Sequence, residues 1–201
     1  MKKTKIISNF YLALVFLFLY MPIFVMIAFS FNESKSRANF TGFTFKWYTE
    51  LFKNDLIMTS FFNTILVAVV SSVLATLLGT LAAIGISNMK KRGRSVVMQG
   101  TYLPIINPEI VTGVALCLLF VFLAGIFKFQ FGFVTVLIAH ITFSVPYVIL
   151  NVLPKLQQMD KNVYEAALDL GCSPVAAYIK VVIPEVLPGI LSGFLMAFTY
   201  S

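Results

Sequence analysis

The sequence predicts an all-α, polytopic membrane protein, with one bundle of transmembrane helices over residues 1–201. Two observations carry this prediction. Charged residues make up 11% of the 201-residue chain and hydrophobic residues 59%, whereas a soluble domain carries about 25% charged residues. The hydrophobic residues also fall in long runs, and a helix needs about 20 apolar residues to cross the hydrocarbon core. We therefore expect lipid to surround most of the chain.

Five apolar runs are candidates for the transmembrane helices. They cover approximately residues 10–31, 61–86, 96–123, 131–153 and 186–201. The first run follows three lysines and is longer than the apolar region of a signal peptide, so we expect a retained span rather than a cleaved leader. The fifth run is shorter than a complete span. We therefore expect the chain to end inside its fifth helix, and a sixth span to be missing.

Two patterns predict local structure early in the chain. Aromatic and apolar residues recur at helical spacing between the first two runs: Trp47, Tyr48, Leu51 and Phe52. This spacing predicts a short amphipathic helix at the membrane interface, where aromatic rings sit at headgroup depth. In the second run Ala75, Gly79 and Ala83 recur every four residues. Small residues at this spacing let helices approach closely in lipid, so they predict a packing face.

Proline interrupts the third run and frames its one acidic residue. Asn107, Pro108 and Glu109 resemble the start of a half-helix, with a cap, a proline at the first position and an acid in the first turn. A carboxylate inside an apolar run is costly and normally faces a cavity or a partner. Glu109 therefore either complements the helix dipole or lies on the path of a cation, and both roles are compatible.

Three side chains of the fourth run are further candidates. Phe143 and Tyr147 lie one turn apart and either line a passage or pack against neighbouring helices. His140 is a possible proton relay, but a hydrogen bond to a neighbouring helix is the simpler interpretation. The cysteines Cys117 and Cys172 have no metal-binding spacing, so we interpret them as unpaired thiols.

The basic residues indicate the orientation of the chain. With the N-terminus in the cytoplasm, ten of the 15 lysines and arginines lie in cytoplasmic segments and five in outer segments. This bias agrees with the positive-inside rule and places residues 155–185 in the cytoplasm. The net charge of +7 is therefore explained by topology, and we expect no nucleic-acid partner.

Residues 155–185 predict two short amphipathic helices joined by a tight turn. Gly171 stands where a helix-terminating glycine is expected, and Ser173 followed by Pro174 is a good helix start. Val163, Ala167 and Leu170 share a face of the first helix; Val175, Tyr178, Ile179 and Val182 share a face of the second. Pro184 is expected to end the second helix. Such a hairpin either packs against the bundle or docks into a groove on a soluble partner.

This segment resembles the EAA loop of ABC importer permeases, in which E-A-A and a glycine precede a terminal I-x-L-P. The matching positions are Glu165, Ala166, Ala167, Asp169, Gly171, Pro174, Val181, Ile183 and Pro184. Val181 and Ile183 are conservative departures from that pattern. The resemblance implies the type I importer permease fold and a coupling role for these residues, in contact with an ATPase subunit dimer. No G-x-x-x-x-G-K-[ST] loop occurs, so we expect ATP and Mg to bind the ATPase and no cofactor to bind this chain.

Further motifs resemble the spermidine/putrescine permeases over essentially the whole chain. They are residues 46–48, residues 107–109 and residues 140–147. The resemblance implies polyamine import across the bacterial plasma membrane by alternating access. It also implies a second homologous permease subunit and an extracytoplasmic polyamine-binding protein as partners. By comparison with that family, we expect the chain to be truncated at its C-terminus.

Other functions remain as alternatives at this level. One is a permease of an ABC importer for another small solute, and a less favoured one is an ion-coupled secondary transporter, which would give no reason for an EAA loop. A membrane-embedded enzyme is disfavoured, because the sequence has no HExxH or GxSxG motif and few titratable residues in its apolar runs.

Overall fold

The computed structural model describes residues 2–34, 39–107 and 109–201, with the side chains of residues 2–7, 109 and 161 outside the description. The described part is overwhelmingly helical, which confirms the all-α prediction. Its helices are α1 (Lys2–Ser30), α2 (Lys46–Lys53), α3 (Asp55–Ser87), α4 (Lys91–Ile106), α5 (Glu109–Phe127), α6 (Phe133–Gln158), α7 (Lys161–Asp169), α8 (Pro174–Ala177) and α9 (Ile183–Tyr200).

Five helical segments of the described chain are long and apolar enough to cross a bilayer, in agreement with the five predicted spans. They are Ser8–Ser30, Asp55–Ser87, Ile110–Phe127, Phe133–Gln158 and Pro174–Tyr200. Most of their large apolar side chains are exposed, as expected where lipid is the solvent. The chain is therefore a multi-pass membrane protein.

The structure divides the predicted third span, residues 96–123, between two helices. α4 ends at Ile106 and α5 begins at Glu109, and only the α5 segment has the length and hydropathy of a span. Between them Asn107 is extended, with φ −75° and ψ 140°. The residue before a proline avoids the helical region because of the proline ring, which explains the break. Pro104, in contrast, lies inside α4.

The prediction that Pro184 ends the second hairpin helix is wrong. A π-helical turn, Tyr178–Val182, follows α8 and leads directly into α9, in which Pro184 stands in the first turn. The N–H of Ile183 donates to the carbonyl of Tyr178 five residues earlier. This wider turn accommodates a ring that would clash with a regular α-helical turn. The apolar helix therefore begins at Pro174 rather than at residue 186.

The chain comprises two compact units, residues 1–62 and residues 63–201. In the first unit the predicted short helix is present as α2, and its Trp47 indole N–H donates to the carbonyl of Asn32 at 2.7 Å. Asn32 is buried, and its amide oxygen accepts from the N–H of Thr41 at 2.9 Å. The rings of Phe31 and Phe43 stack with centroids 5.1 Å apart. These contacts hold the loop after α1 against the start of α2.

The core of the second unit lies where α3, α6 and α9 meet. Its buried apolar residues are Ala75, Ala83, Ile86, Val148, Ile149, Val152, Leu153 and Ala197. Ala75 and Ala83 are fully buried, which confirms the predicted small-residue packing face of α3. Gly189 of α9 lies so near the carbonyl of Asn151 in α6 that a Cβ there would be 2.9 Å from that oxygen. Small residues thus allow the helix backbones to come close.

Candidate coupling surface and transport pathway

The hairpin predicted from residues 155–185 is present, and we call residues 161–182 the elbow. Its first helix, α7, begins after Asp160, whose side chain accepts from the N–H of Asn162 at 3.0 Å. Asp160 satisfies one of the unpaired N–H groups at the helix start, as capping residues do. This cap was not predicted, although an aspartate immediately before an amphipathic segment is the usual signal for one.

Gly171 ends α7 as predicted. Its φ is +87°, a left-handed conformation that favours glycine. The N–H of Gly171 donates to the carbonyl of Leu168 at 2.9 Å, and the N–H of Cys172 donates to that of Ala167 at 3.1 Å. This pair of bonds is the Schellman motif, which satisfies the last carbonyls of a helix. The chain reverses direction here because of the glycine.

Ser173 and Pro174 start the second half of the elbow. The Ser173 hydroxyl accepts from the N–H of Ala176 at 3.3 Å, and Pro174 occupies the first helical position. Both features follow the sequence prediction. Together with the Gly171 motif they define a turn whose backbone groups are paired locally. The shape of the elbow is therefore encoded within a few residues.

The elbow has a buried side and an exposed side. Ala167, Ala177 and Val182 are buried. Leu170 and Val175, in contrast, are 87% and 68% exposed, and Ile179 is also exposed. Val175 and Val182 were expected on one face, but the structure separates them, because the π-helical turn changes the register between them. The exposed residues form what we call the apolar tip: Leu170, Val175 and Ile179.

The predicted coupling residues are spread over both sides of the elbow. Glu165, Ala166, Asp169, Gly171, Pro174 and Pro184 are exposed, Val181 and Ile183 are half-buried and Ala167 is buried. Glu165 lies at the edge of a cavity of about 520 Å³ that also contacts Arg94, Tyr164 and Tyr178. Ala167 is thus packed inside, while the exposed residues are available to a partner.

A second cavity, of about 100 Å³, contains the predicted pathway residues Phe143 and Tyr147. We call it the aromatic pocket; its lining is Pro104, Thr112, Phe143, Tyr147 and Tyr200. The rings of Tyr147 and Tyr200 stack with centroids 4.4 Å apart and an interplanar angle of 7°. Tyr200 was not among the predicted pathway residues, because spacing within one helix carries no information about which residue of another helix lies opposite.

The remaining two candidates within the apolar runs are Glu109 and His140. α5 is described from Glu109 onward, but Pro108, the predicted first helical position, and the side chain of Glu109 lie outside the described residues. Nδ1 of His140 lies 3.0 Å from Oγ of Ser201, the residue after α9. That hydroxyl is also 2.6 Å from Oγ of Ser71 in α3. The hydrogen bond predicted from His140 to a neighbouring helix is thus made to the residue that directly follows α9.

Comparison with known proteins places this architecture in a family. The family described as "Binding-protein-dependent transport system inner membrane component" matches residues 75–201. The chain is 34% identical over 195 residues to the spermidine/putrescine transport system permease protein PotC of Haemophilus influenzae, covering 97% of this chain and 74% of the relative. It is also 34% identical to the putrescine transport system permease protein PotI of Escherichia coli, covering 94% and 69%. A PotC homolog of Mycoplasma genitalium is 28% identical, covering 98% and 72%.

The fold and the elbow define a multi-pass membrane subunit of a transport system. The match over residues 75–201 includes α6, the whole elbow and α9. The chain belongs to the family of inner-membrane components of binding-protein-dependent transport systems, and it is a permease subunit of an ABC importer. Membership of this family implies a partner that hydrolyses ATP and a partner that binds the solute.

Proposed function

We propose that this permease carries polyamines, spermidine or putrescine, into a bacterial cell by alternating access. The observation that carries the proposal is the similarity to permeases named for these solutes, which extends over 94–98% of the chain at 33–34% identity. A likeness of that extent includes the membrane helices through which solute passes, and not the elbow alone.

In this proposal the elbow docks into a cleft of an ATPase subunit dimer. The apolar tip supports it, because an exposed leucine and isoleucine beside a tight turn resemble the anchor of a helix that binds a groove. ATP and Mg bind the ATPase, and closure of its dimer moves the elbow. The permease itself performs no covalent chemistry and carries no cofactor.

The remaining partners follow from the same assignment. A second homologous permease subunit completes the membrane channel, and an extracytoplasmic binding protein delivers the polyamine to its outer mouth. The N-terminus lies in the cytoplasm of the plasma membrane, on the same side as the elbow. The distribution of lysine and arginine supports this orientation.

The aromatic pocket is the proposed contact for the cationic solute inside the membrane. Ammonium groups are attracted to the faces of aromatic rings, by about 0.5–2 kcal/mol for each contact. Phe143, Tyr147 and Tyr200 supply three rings around one cavity. Thr112, which also lines this cavity, lies three residues after Glu109 in α5. A carboxylate in that turn would add attraction for a cation.

Uptake by the assembled importer tests the proposal. The chain is co-expressed with a second permease subunit, an ABC ATPase and a polyamine-binding protein from the same organism and reconstituted in liposomes. We expect ATP-dependent uptake of radiolabelled spermidine or putrescine, and none of labelled maltose or sulfate. Uptake of another solute in place of polyamines overturns the substrate proposal. Uptake driven by an ion gradient without ATP, or failure of the ATPase to co-purify, overturns the ABC mechanism.

Replacing Glu109 by Gln separates its two possible roles. Glutamine keeps the size of the side chain and removes its charge, so a residue on the cation pathway should lose polyamine uptake several-fold at normal ATPase co-purification. A residue that complements the helix dipole contributes about 0.3–1 kcal/mol to stability and leaves uptake nearly unchanged. Unchanged uptake by Glu109→Gln therefore excludes the pathway role.

A further inference from the structure

Asn88 and Tyr178 connect the end of α3 to the elbow. The side-chain amide of Asn88 donates to the carbonyl of Ile84 in α3 at 3.0 Å. The same nitrogen donates to the Tyr178 hydroxyl, also at 3.0 Å. An amide nitrogen carries two hydrogens, so both bonds exist together. Asn88 is thereby fixed on α3 and holds a residue that is 90 positions later in the chain.

Tyr178 is itself a junction of the elbow. Its ring contacts the ring of Tyr164 in α7, with centroids 5.0 Å apart. Its carbonyl accepts from the N–H of Ile183 and closes the π-helical turn before α9. Tyr178 thus contacts α7 through its ring, the start of α9 through its carbonyl group and the end of α3 through its hydroxyl. π-Helical turns are often found at functional sites, because they place a side chain where a regular helix would not.

The other end of this connection lies in the core of the membrane bundle. Upstream of Asn88, α3 packs on α6 through Gly79 and through its buried alanines. A long helix transmits displacement because its backbone hydrogen bonds make it stiff. A displacement of Tyr178 is therefore transmitted through Asn88 to the packed part of α3.

We propose that the Asn88–Tyr178 hydrogen bond transmits movement of the elbow to α3, and that both residues are positioning residues for transport. The inference rests on the proposed docking of an ATPase at the elbow. It adds a second route into the bundle, besides the continuous chain from the elbow into α9. Loss of the bond then leaves ATP hydrolysis intact and lowers the amount of solute moved for each ATP.

The test measures solute uptake and ATP hydrolysis on the same reconstituted importer. Tyr178→Phe removes only the hydroxyl, and Asn88→Ala removes only the amide. A bond between partly exposed groups contributes on the order of 1 kcal/mol, so we expect each variant to lower transport per ATP about five-fold. Because both remove the same bond to the other residue, the two losses should not multiply in the double variant.

Tyr164→Phe is the matched control. Among the described residues, the contact of Tyr164 with Tyr178 is made by its ring, which phenylalanine keeps. We expect Tyr164→Phe to move as much solute for each ATP as the wild-type importer. A wild-type ratio for Tyr178→Phe, or multiplied losses in the double variant, overturns the inference. If the wild-type chain fails to bind the ATPase, the proposed function itself is wrong. If Tyr178→Phe binds the ATPase normally and moves as much solute for each ATP as the wild type, only the transmission role is refuted.

Discussion

Gly79 of α3 and Val148 of α6 are packed so closely that a Cβ on Gly79 would lie 2.6 Å from the Cβ of Val148. Val148 also faces α9, where a Cβ on Gly193 would lie 3.1 Å from the valine Cα. One fully buried valine is therefore held between glycines of two helices. In lipid, association of helices depends on such close packing, because burial of apolar surface from water contributes little.

Replacing Gly79 by Ala should destabilise the bundle. The added methyl would overlap the Val148 side chain and approach the carbonyl of Val145, and overpacking of this kind costs about 1–3 kcal/mol. We expect a lower melting temperature of the purified protein in detergent. Gly85→Ala is the control within the same helix, since nothing lies within 4 Å of its Cβ position. Equal melting temperatures for the two variants would contradict the packing described.

Replacing Gly171 should disturb the elbow according to the residue introduced. A left-handed backbone destabilises a residue that has a Cβ by about 1–2 kcal/mol, and it destabilises asparagine less than alanine or valine. We expect faster proteolysis of the elbow and weaker ATPase co-purification in the order Gly171→Val, Gly171→Ala, Gly171→Asn. The control is Gly100→Ala in α4, a site that is sterically open. If Gly171→Asn were the most damaging variant, the conformational argument would be wrong.

Polar substitution in the apolar tip should weaken ATPase binding without unfolding the permease. Leu170 is 87% exposed, so Leu170→Ser removes little packing within the chain. Interface anchors contribute about 1–2 kcal/mol or more, so ATPase affinity should fall roughly ten-fold. Val182, at 1% exposure, is the contrasting site. Val182→Ser should lower the melting temperature, because it places a hydroxyl in an apolar environment.

A normal ATPase affinity for Leu170→Ser, measured by co-purification or titration of the ATPase in nanodiscs, would exclude the apolar tip from the interface. A loss of melting temperature equal to that of Val182→Ser would show that Leu170 is structural instead.

Removing a ring from the aromatic pocket should weaken polyamine transport. Tyr200→Leu removes one of the rings that line the pocket. A contact between an aromatic ring and an ammonium group contributes about 0.5–2 kcal/mol, so the KM for spermidine should rise several-fold. Phe198→Leu is the control, because Phe198 stacks on Phe194 of the same helix and does not line the pocket. KM is measured from uptake at a saturating amount of binding protein. Equal KM values for both variants would remove the pocket from the pathway.

Much of the local structure of this permease follows from the sequence. The apolar runs specify membrane helices, because each must satisfy its own backbone in lipid. The stop at Gly171 and the start at Ser173 are also local, since their hydrogen bonds involve residues at most five positions apart. The role of the predicted coupling residues stays a prediction, because it concerns a partner chain.

Other features depend on residues distant in the sequence. The helix continues through Pro184 by way of a π-helical turn, although a proline alone is equally compatible with a helix end. Tyr200 beside Tyr147, and Asn88 beside Tyr178, are contacts between helices whose relative rotation is set by packing. The periodicity of a helix shows which of its residues share a face. It does not show which residue of a neighbouring helix each of them contacts.

By itself the sequence determined that this protein crosses a membrane several times and carries a glycine-terminated elbow, because hydropathy and backbone conformation act over short stretches of chain. The tertiary structure decided which small residues touch, which elbow residues stay exposed, and which side chain joins the elbow to α3. Those choices depend on close packing, which in lipid is what distinguishes one arrangement of helices from another.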